Sequence, residues 1–440
     1  GMKMRAKKYI VASFLFCFIL FGITVCASAK VKSNGEYQYQ IIKSNSIYMH
    51  TSENVFGDIE QGIFLCRYLG NETEVKIPKE IDGLPVIFIG YDCFEQNETI
   101  QKVTIPGNVR WVDGFSDCIN LKEVSMEDGV RMIGSDTFSN CTSLEKINMP
   151  DTVRYIGGFE LDCTTFSGCT SLKEICLPKN LERMDNYAFS GCSALEHIEL
   201  PQKLGYISDG CFSGCSTLKS VEIPNNYTYI GSYAFSECYS LDAITLPNAL
   251  RSIPVGAFDG CKALKEITIP ANASKCGESQ FDGIGYTFSG CTSLEKVTIL
   301  GKVNKIDRGL FIDCTSLKEV ILPDSVTEIA DRAFYGCSSL TKIKLPKELK
   351  TIGTDAFRNS GLKGTTIPAK VTKIGRRAFA HCSSMKKVVL KGRNTTILSL
   401  AFKGIDPKAI FDVPNSYIKT YRSRLTKRET GYLKKSMKVI

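Results

Sequence analysis

The chain has 440 residues, of which 43% are apolar and 23% charged, and its formal net charge is +9. That composition is ordinary for a globular protein and excludes a disordered or collagen-like chain. Length alone would predict two or three domains.

The first segment reads as an export signal. Lys3, Arg5, Lys7 and Lys8 precede an apolar run from Tyr9 to Val25, and Ala27-Ser28-Ala29 supplies a small-residue cleavage site. Residues 1–29 are therefore expected to be a tag residue, Gly1, and a secretory signal peptide, with the mature chain starting near Lys30. The apolar run is short for a membrane span, and Val25 is too large for the small residue a lipoprotein carries before its cysteine, here Cys26. No later stretch is apolar enough to cross a bilayer. The expectation is a secreted, surface-associated protein with no transmembrane segment in the mature chain. Residues 30–61 are assigned to an N-terminal cap region.

Beyond the cap one pattern recurs. Phe94, Phe115, Phe138, Phe166, Phe189, Phe212, Phe235, Phe258, Phe288, Phe311, Phe334, Phe357, Phe379 and Phe402 are spaced by 23 residues or close to it, except for intervals of 28 before Phe166 and 30 before Phe288. Counting from each Phe, a Cys usually follows at three, a Leu at six, an Ile or Val at nine, another apolar residue at eleven and a Pro at twelve. The end of that run alternates, as in Ala243-Ile244-Thr245-Leu246-Pro247, which predicts a short strand with one buried face stopped by a Pro that cannot donate to a ladder. A second apolar pair, such as Val326 and Ile329, predicts a second short segment on the opposite wall. A period of this length means stacked units, none of which can bury its face alone. The Phe column is core, not an aromatic ligand box.

Units such as IGSYAFSECYSLDAITLPNAL and IADRAFYGCSSLTKIKLPKEL resemble bacterial leucine-rich repeats of the BspA-like, treponemal type. The resemblance covers about residues 86–405; residues 62–94 look like that family's opening unit and Ile410–Tyr421 like its closing segment. It implies a leucine-rich repeat solenoid over 62–405 of about 14 units: a right-handed horseshoe, rich in strands and turns, with short parallel strands and little helix. It also implies display at the cell surface and an adhesin's role towards host matrix proteins or other microbes. Residues 406–440 are assigned to a C-terminal cap and basic tail. The unit of Phe402 has Ile405 in place of Cys and no clear strand with its Pro, so the cap is expected to begin there. The long intervals place insertions near Gly157–Thr164 and Lys275–Gly285, where a solenoid extends loops that often bind.

Eleven of the nineteen cysteines stand at the position three after Phe. Recurrence at one slot predicts a column of small buried side chains, and parallel Cβ vectors oppose disulfides between neighbouring rungs. Buried free thiols are therefore expected.

Chemistry is hard to find. Only His50, His197 and His381 are present, and no HExxH, GxSxG, phosphate loop or zinc-spaced cluster occurs. No catalytic, cofactor or metal residue is assigned, and no enzyme is expected. Recognition falls to the outward strand positions eight and ten after each Phe. There Glu174, His197, Glu199, Glu222 and Glu266 form an acidic stretch suited to cations or a basic partner, and Tyr227 and Tyr229 belong to a tyrosine-rich unit offered as a second contact.

Charge is divided along the chain. Residues 341–440 carry 24 Lys and Arg against 5 Asp and Glu, a net of +19, so the first 340 residues net −10. Arg376, Arg377, Lys386, Lys387, Arg422, Arg424, Lys427, Arg428, Lys434 and Lys435 are the candidate polyanion-binding residues. For an exported protein the fitting polyanion is a cell-wall polymer, an anionic glycan or a lipid headgroup, and nucleic acid is not expected. Two functions follow: a secreted or surface recognition protein binding a protein or glycan ligand, or an envelope protein whose basic end grips anionic wall polymer.

Overall fold

The structure is a computed structural model that describes residues 29–43, 59–158, 164–277, 286–426 and 438–440. The expected signal peptide and the middles of both expected insertions lie outside the described residues. The chain divides into two compact units, residues 1–204 and 205–440. Each is a stack of turns with one short strand on either wall, the leucine-rich repeat solenoid that the period requires.

In the first unit, Tyr37–Lys43 pairs antiparallel with Gln61–Tyr68, and Gln61–Tyr68 then pairs parallel with Leu84–Ile89. From that start one wall continues in parallel through Trp111–Val112, Met132–Ile133, Tyr155–Ile156 and Arg183–Met184. The other wall stacks Glu74–Lys76, Lys102–Ile105, Glu123–Met126 and Lys146–Asn148. Register is set by equivalence, with Val103 beside Val124 and Val124 beside Ile147. Alternation then sends every slot-nine side chain inward. Ile42, Phe64, Phe88 and Trp111 plug the open end of this stack, with Phe88 and Trp111 rings stacked at 4.9 Å.

The second unit repeats the plan. Lys305–Ile306, Glu328–Ile329, Thr351–Ile352, Lys373–Ile374 and Thr396–Ile397 form one wall in parallel register. The other wall carries Glu266–Ile269, Lys296–Ile299 and Glu319–Ile321, then Gly364–Ile367, Lys387–Leu390 and Ile410–Asp412. The last of these corrects the sequence reading: the unit of Phe402 does have its strand, with Phe411 inward and Pro414 following, so the ladder passes residue 405. A helix, Ile418–Thr426, covers the end and buries Tyr421, whose hydroxyl donates to the Gly392 carbonyl at 2.6 Å.

The Phe column is the spine of both units. Within the first, successive rings from Phe94 to Phe189 stack with centroids 4.7–5.5 Å apart. Within the second the stack runs from Phe212 to Phe402 at 5.1–5.5 Å and ends edge-on against Phe411. Two residues after every one of the fourteen Phe the backbone is left-handed, from Gln96 and Asp117 through Gly336 and His381 to Gly404. Gly, Asn and Asp suit that conformation, and this turn swings the following Cys back inward.

Candidate functional site

Short strands and tight turns divide the side chains of each rung between core and solvent. Among the described cysteines only Cys176, at an outward slot, is exposed. The column thiols are buried, and most bond across a rung to the Phe carbonyl of an earlier turn, as Cys141 does to Phe115 at 3.1 Å and Cys314 to Phe288 at 3.2 Å. Burial pushes these thiols upward, Cys118 and Cys192 to about 12 and Cys382 to about 11. A thiol held protonated and bonded inside a stack is a poor nucleophile. His381 neighbours Cys382 but is exposed at the left-handed turn position, while Cys382 points inward to Ser360 and the Phe357 carbonyl.

The outward slots are where the sequence puts them. In the first unit Glu174, His197 and Glu199 are exposed on paired strands, with Glu174 beside His197 and Cys176 beside Glu199. In the second, Glu222 lies beside Thr245 and Glu266 beside Lys296. The acidic residues are thus distributed over both units. Among the described residues no three His, Cys, Asp or Glu side chains gather closely enough to hold a metal ion. The row offers single charges to a partner and no cage for a cation.

Tyr227 is a correction: it is completely buried. It stands eight residues before Phe235, the slot filled by Leu250 and Val326 in other units, so its ring is core and cannot contact a ligand. Tyr229 is 42% exposed, and its hydroxyl donates to Asp209 at 2.9 Å. Burial of the ring, and then the Asp209 charge, push that phenol up to about 12. Tyr229 belongs to the wall opposite the outward row, so the structure does not join it to the acidic residues.

The basic candidates separate in the same way. Arg376, Lys386 and Lys387 are exposed, with Lys387 3.8 Å from Asp412. Arg377 is committed to the interior, since its guanidinium lies 2.9 Å from the carboxylate of Asp355, a residue only 1% exposed. Arg424 donates to the Thr395 carbonyl at 2.8 Å and to Asn394 at 2.7 Å, and Arg422 donates to the Val439 carbonyl at 3.3 Å. These three arginines are occupied in closing the stack. Lys427, Arg428, Lys434 and Lys435 lie outside the described residues. No helix among the described residues is long and apolar enough to cross a membrane.

The family profile described as BspA type leucine rich repeat region matches the sequence in six copies, over residues 32–159, 159–285 and 284–408. Among solved structures, a leucine-rich repeat protein from Bacteroides ovatus is 27% identical over 86% of this chain and 95% of that chain, with a TM-score of 0.64. A leucine rich repeat protein of T. pallidum is 28% identical over 48% of this chain and 91% of that chain, with a TM-score of 0.39. A leucine rich cell surface protein from Faecalibacterium prausnitzii is 22% identical over 92% and 98% of the two chains, with a TM-score of 0.49. No curated protein matches the sequence.

Proposed function

Because this chain belongs to the BspA type leucine-rich repeat family, we propose that it is an exported, cell-surface recognition protein, non-enzymatic and adhesin-like, that holds a protein or glycan of a host or microbe against its solenoid surface. The observation that carries this reading is the division of the rungs. Phe, Cys and Leu slots are buried, while in most rungs slots eight and ten face outward on parallel strands in register. Stacked repeats of this kind make extended recognition surfaces. The bonded, protonated thiols speak against a cysteine enzyme, and the apolar run before Ala29 supports export.

The test is binding of the full chain to arrays of matrix proteins, glycans and cell-wall fractions, with and without the substitutions Glu174→Lys, His197→Ala and Glu199→Lys. Saturable binding that falls in the substituted chain at unchanged melting temperature supports the reading. Binding to no surface, or binding indifferent to outward slots in either unit, contradicts it.

The net charge of +19 over residues 341–440 favours a second role for that end, retention on an anionic polymer of the envelope. Arg376, Lys386 and Lys387 are the described candidates still free of interior duties.

A further inference from the structure

The outer wall of the second unit contains a gap. Pairing stops at Glu319–Ile321 and resumes at Gly364–Ile367, and among the described residues no strand covers 340–350. The opposite wall runs unbroken past the same turns, with Glu328 beside Thr351 and Thr351 beside Lys373. The opening is therefore local to one wall. It adjoins a shortened unit, since Phe357 and Phe379 are 22 residues apart. Gly361 there approaches the Ser338 carbonyl so closely that a Cβ would sit 2.2 Å from its oxygen.

A groove of about 920 Å³ occupies this gap, within the size range of sites that bind small organic ligands. Gly364 and Thr366 take the outward slots of the middle rung and leave a shallow floor, with Ile343 and Val389 on either side. Lysines stand around it. Six of them line the groove against two carboxylates, and both carboxylates are already paired, Asp324 with Lys347 at 3.6 Å and Glu348 with Lys370 at 2.5 Å. Among the described residues, Lys342, Lys344 and Lys391 have no carboxylate partner.

An independent observation marks the same place. Thr365 occupies the inward slot that Val388 and Val320 fill in other units, and it is only 7% exposed. The residue borders the groove, but its hydroxyl is buried and has no hydrogen-bond partner. A buried hydroxyl left unbonded costs stability that a Val of the same shape would not, so the core beneath the gap is poorly packed.

We propose that this groove binds a short segment of anionic polysaccharide. Sugar faces rest on Ile343, Gly364 and Val389. The carboxylate, sulfate or phosphate groups reach Lys342, Lys344 and Lys391. Three rungs span roughly 10 Å, which suits a run of sugar rings better than a single ion. Lysine acts as a point charge, so the shared requirement is a chain of anionic sugars and not one particular anion. The site gives the polyanion reading above a place and a chemistry, and it rests on that reading.

The experiment is calorimetric titration of the full chain with three fragments of matched length: a sulfated heparin octasaccharide, an oligogalacturonate and, as a polyanion without sugar rings, an oligo(glycerol phosphate). The first two identify the anion, and tighter binding of the third than of both would overturn the role of the sugar faces. Lys342→Gln with Lys344→Gln is expected to weaken the preferred fragment about tenfold and to lower the slope of log affinity against log salt by about 1–2. Lys403→Gln with Lys408→Gln, exposed but outside the groove, is expected to change affinity less than about twofold. Equal losses from the two charge pairs would overturn the groove and leave a diffuse basic surface. Failure of all three fragments to bind would overturn the polyanion reading as well.

Discussion

Cys261 and Phe235 are joined across one turn of the repeat: the Cys261 thiol lies 3.2 Å from the Phe235 carbonyl oxygen and donates to it. The same bond links Cys238 to Phe212, Cys291 to Phe258 and Cys337 to Phe311. One side chain thus fills the space beneath the ring and gives a second donor to a carbonyl that already closes its own turn, as Phe235 does with the Cys238 amide at 3.2 Å. Cys261→Ala removes both contributions and is expected to cost about 1–3 kcal/mol. Cys176→Ala, at an exposed slot, should stay within about 0.5 kcal/mol. Urea unfolding followed by circular dichroism compares them; equal costs would mean that the thiol column does not contribute.

Reactivity should follow burial. At pH 8 the folded chain is expected to take up iodoacetamide at Cys176 before any other described cysteine, and at the column thiols only after denaturation. Peptide mapping by mass spectrometry reads this directly. Rapid labelling of Cys382, which sits beside His381, would revive a thiol catalyst.

The raised thiols also fix the direction of alkaline sensitivity. Cys66, Cys118 and Cys192 titrate near 12 and Cys382 near 11 in the folded chain, against about 8.5 when unfolded. The fold therefore keeps protons that the unfolded chain releases. Their contribution is complete below about pH 8.5 and is lost as pH climbs towards 11–12. Melting temperature should fall steeply over that window, and less steeply in a chain carrying Cys118→Val and Cys192→Val. A flat profile to pH 11 would contradict the burial of these groups.

Asp113 gives a second pH dependence. Burial pushes its carboxyl up to about 8, against the opposing bonds from the Gly114 amide at 2.8 Å and the Thr137 hydroxyl at 3.2 Å. The folded form holds this proton well above the unfolded value of about 3.9, so stability is lost as pH rises from about 4 through 8. Asp113→Asn should gain on the parent chain across that interval, to the largest extent above pH 8. Melting curves at pH 4.5 and 8.5 test the sign of the difference.

Adjacent arginines should behave unlike each other. Arg377→Gln removes the nearer of two guanidinium groups on the buried Asp355 carboxylate and leaves Arg358 at 3.5 Å; it is expected to cost about 1–3 kcal/mol, whereas Arg376→Gln should change stability by less than about 0.5 kcal/mol. Thermal unfolding of the two variants checks the contrast. A similar, small effect for both would show that Asp355 does not depend on Arg377.

The same pair shows how far the sequence could be read. Period and slot predict which side chains are core, and the structure puts Phe, Cys and Leu there throughout. Slot counting also contained the place of Tyr227, eight residues before Phe235, but the local run of tyrosines suggested a surface patch. What the sequence could not show is which charges the interior claims. Arg377 reads as one of a basic pair until Asp355 is seen beneath it, and Arg424 reads as tail until Thr395 and Asn394 meet it. Thr365 was visible as a hydroxyl in an apolar slot of a shortened unit. Only the broken ladder around it gives that irregularity a meaning.

Each turn of the stack is closed by the next. The amide of Phe115 bonds to Thr137, Phe138 to Thr165 and Phe166 to Ala188 in the first unit, and Phe311 to Ala333, Phe334 to Ala356 and Phe357 to Ala378 in the second. Native-state hydrogen exchange of the full chain measures these amides together. The expected result is strong and similar protection of the inner Phe amides within each unit, fading at the ends of the stack. Protection confined to one short segment, with the remaining Phe amides exchanging freely, would contradict the stacked repeat and every surface derived from it.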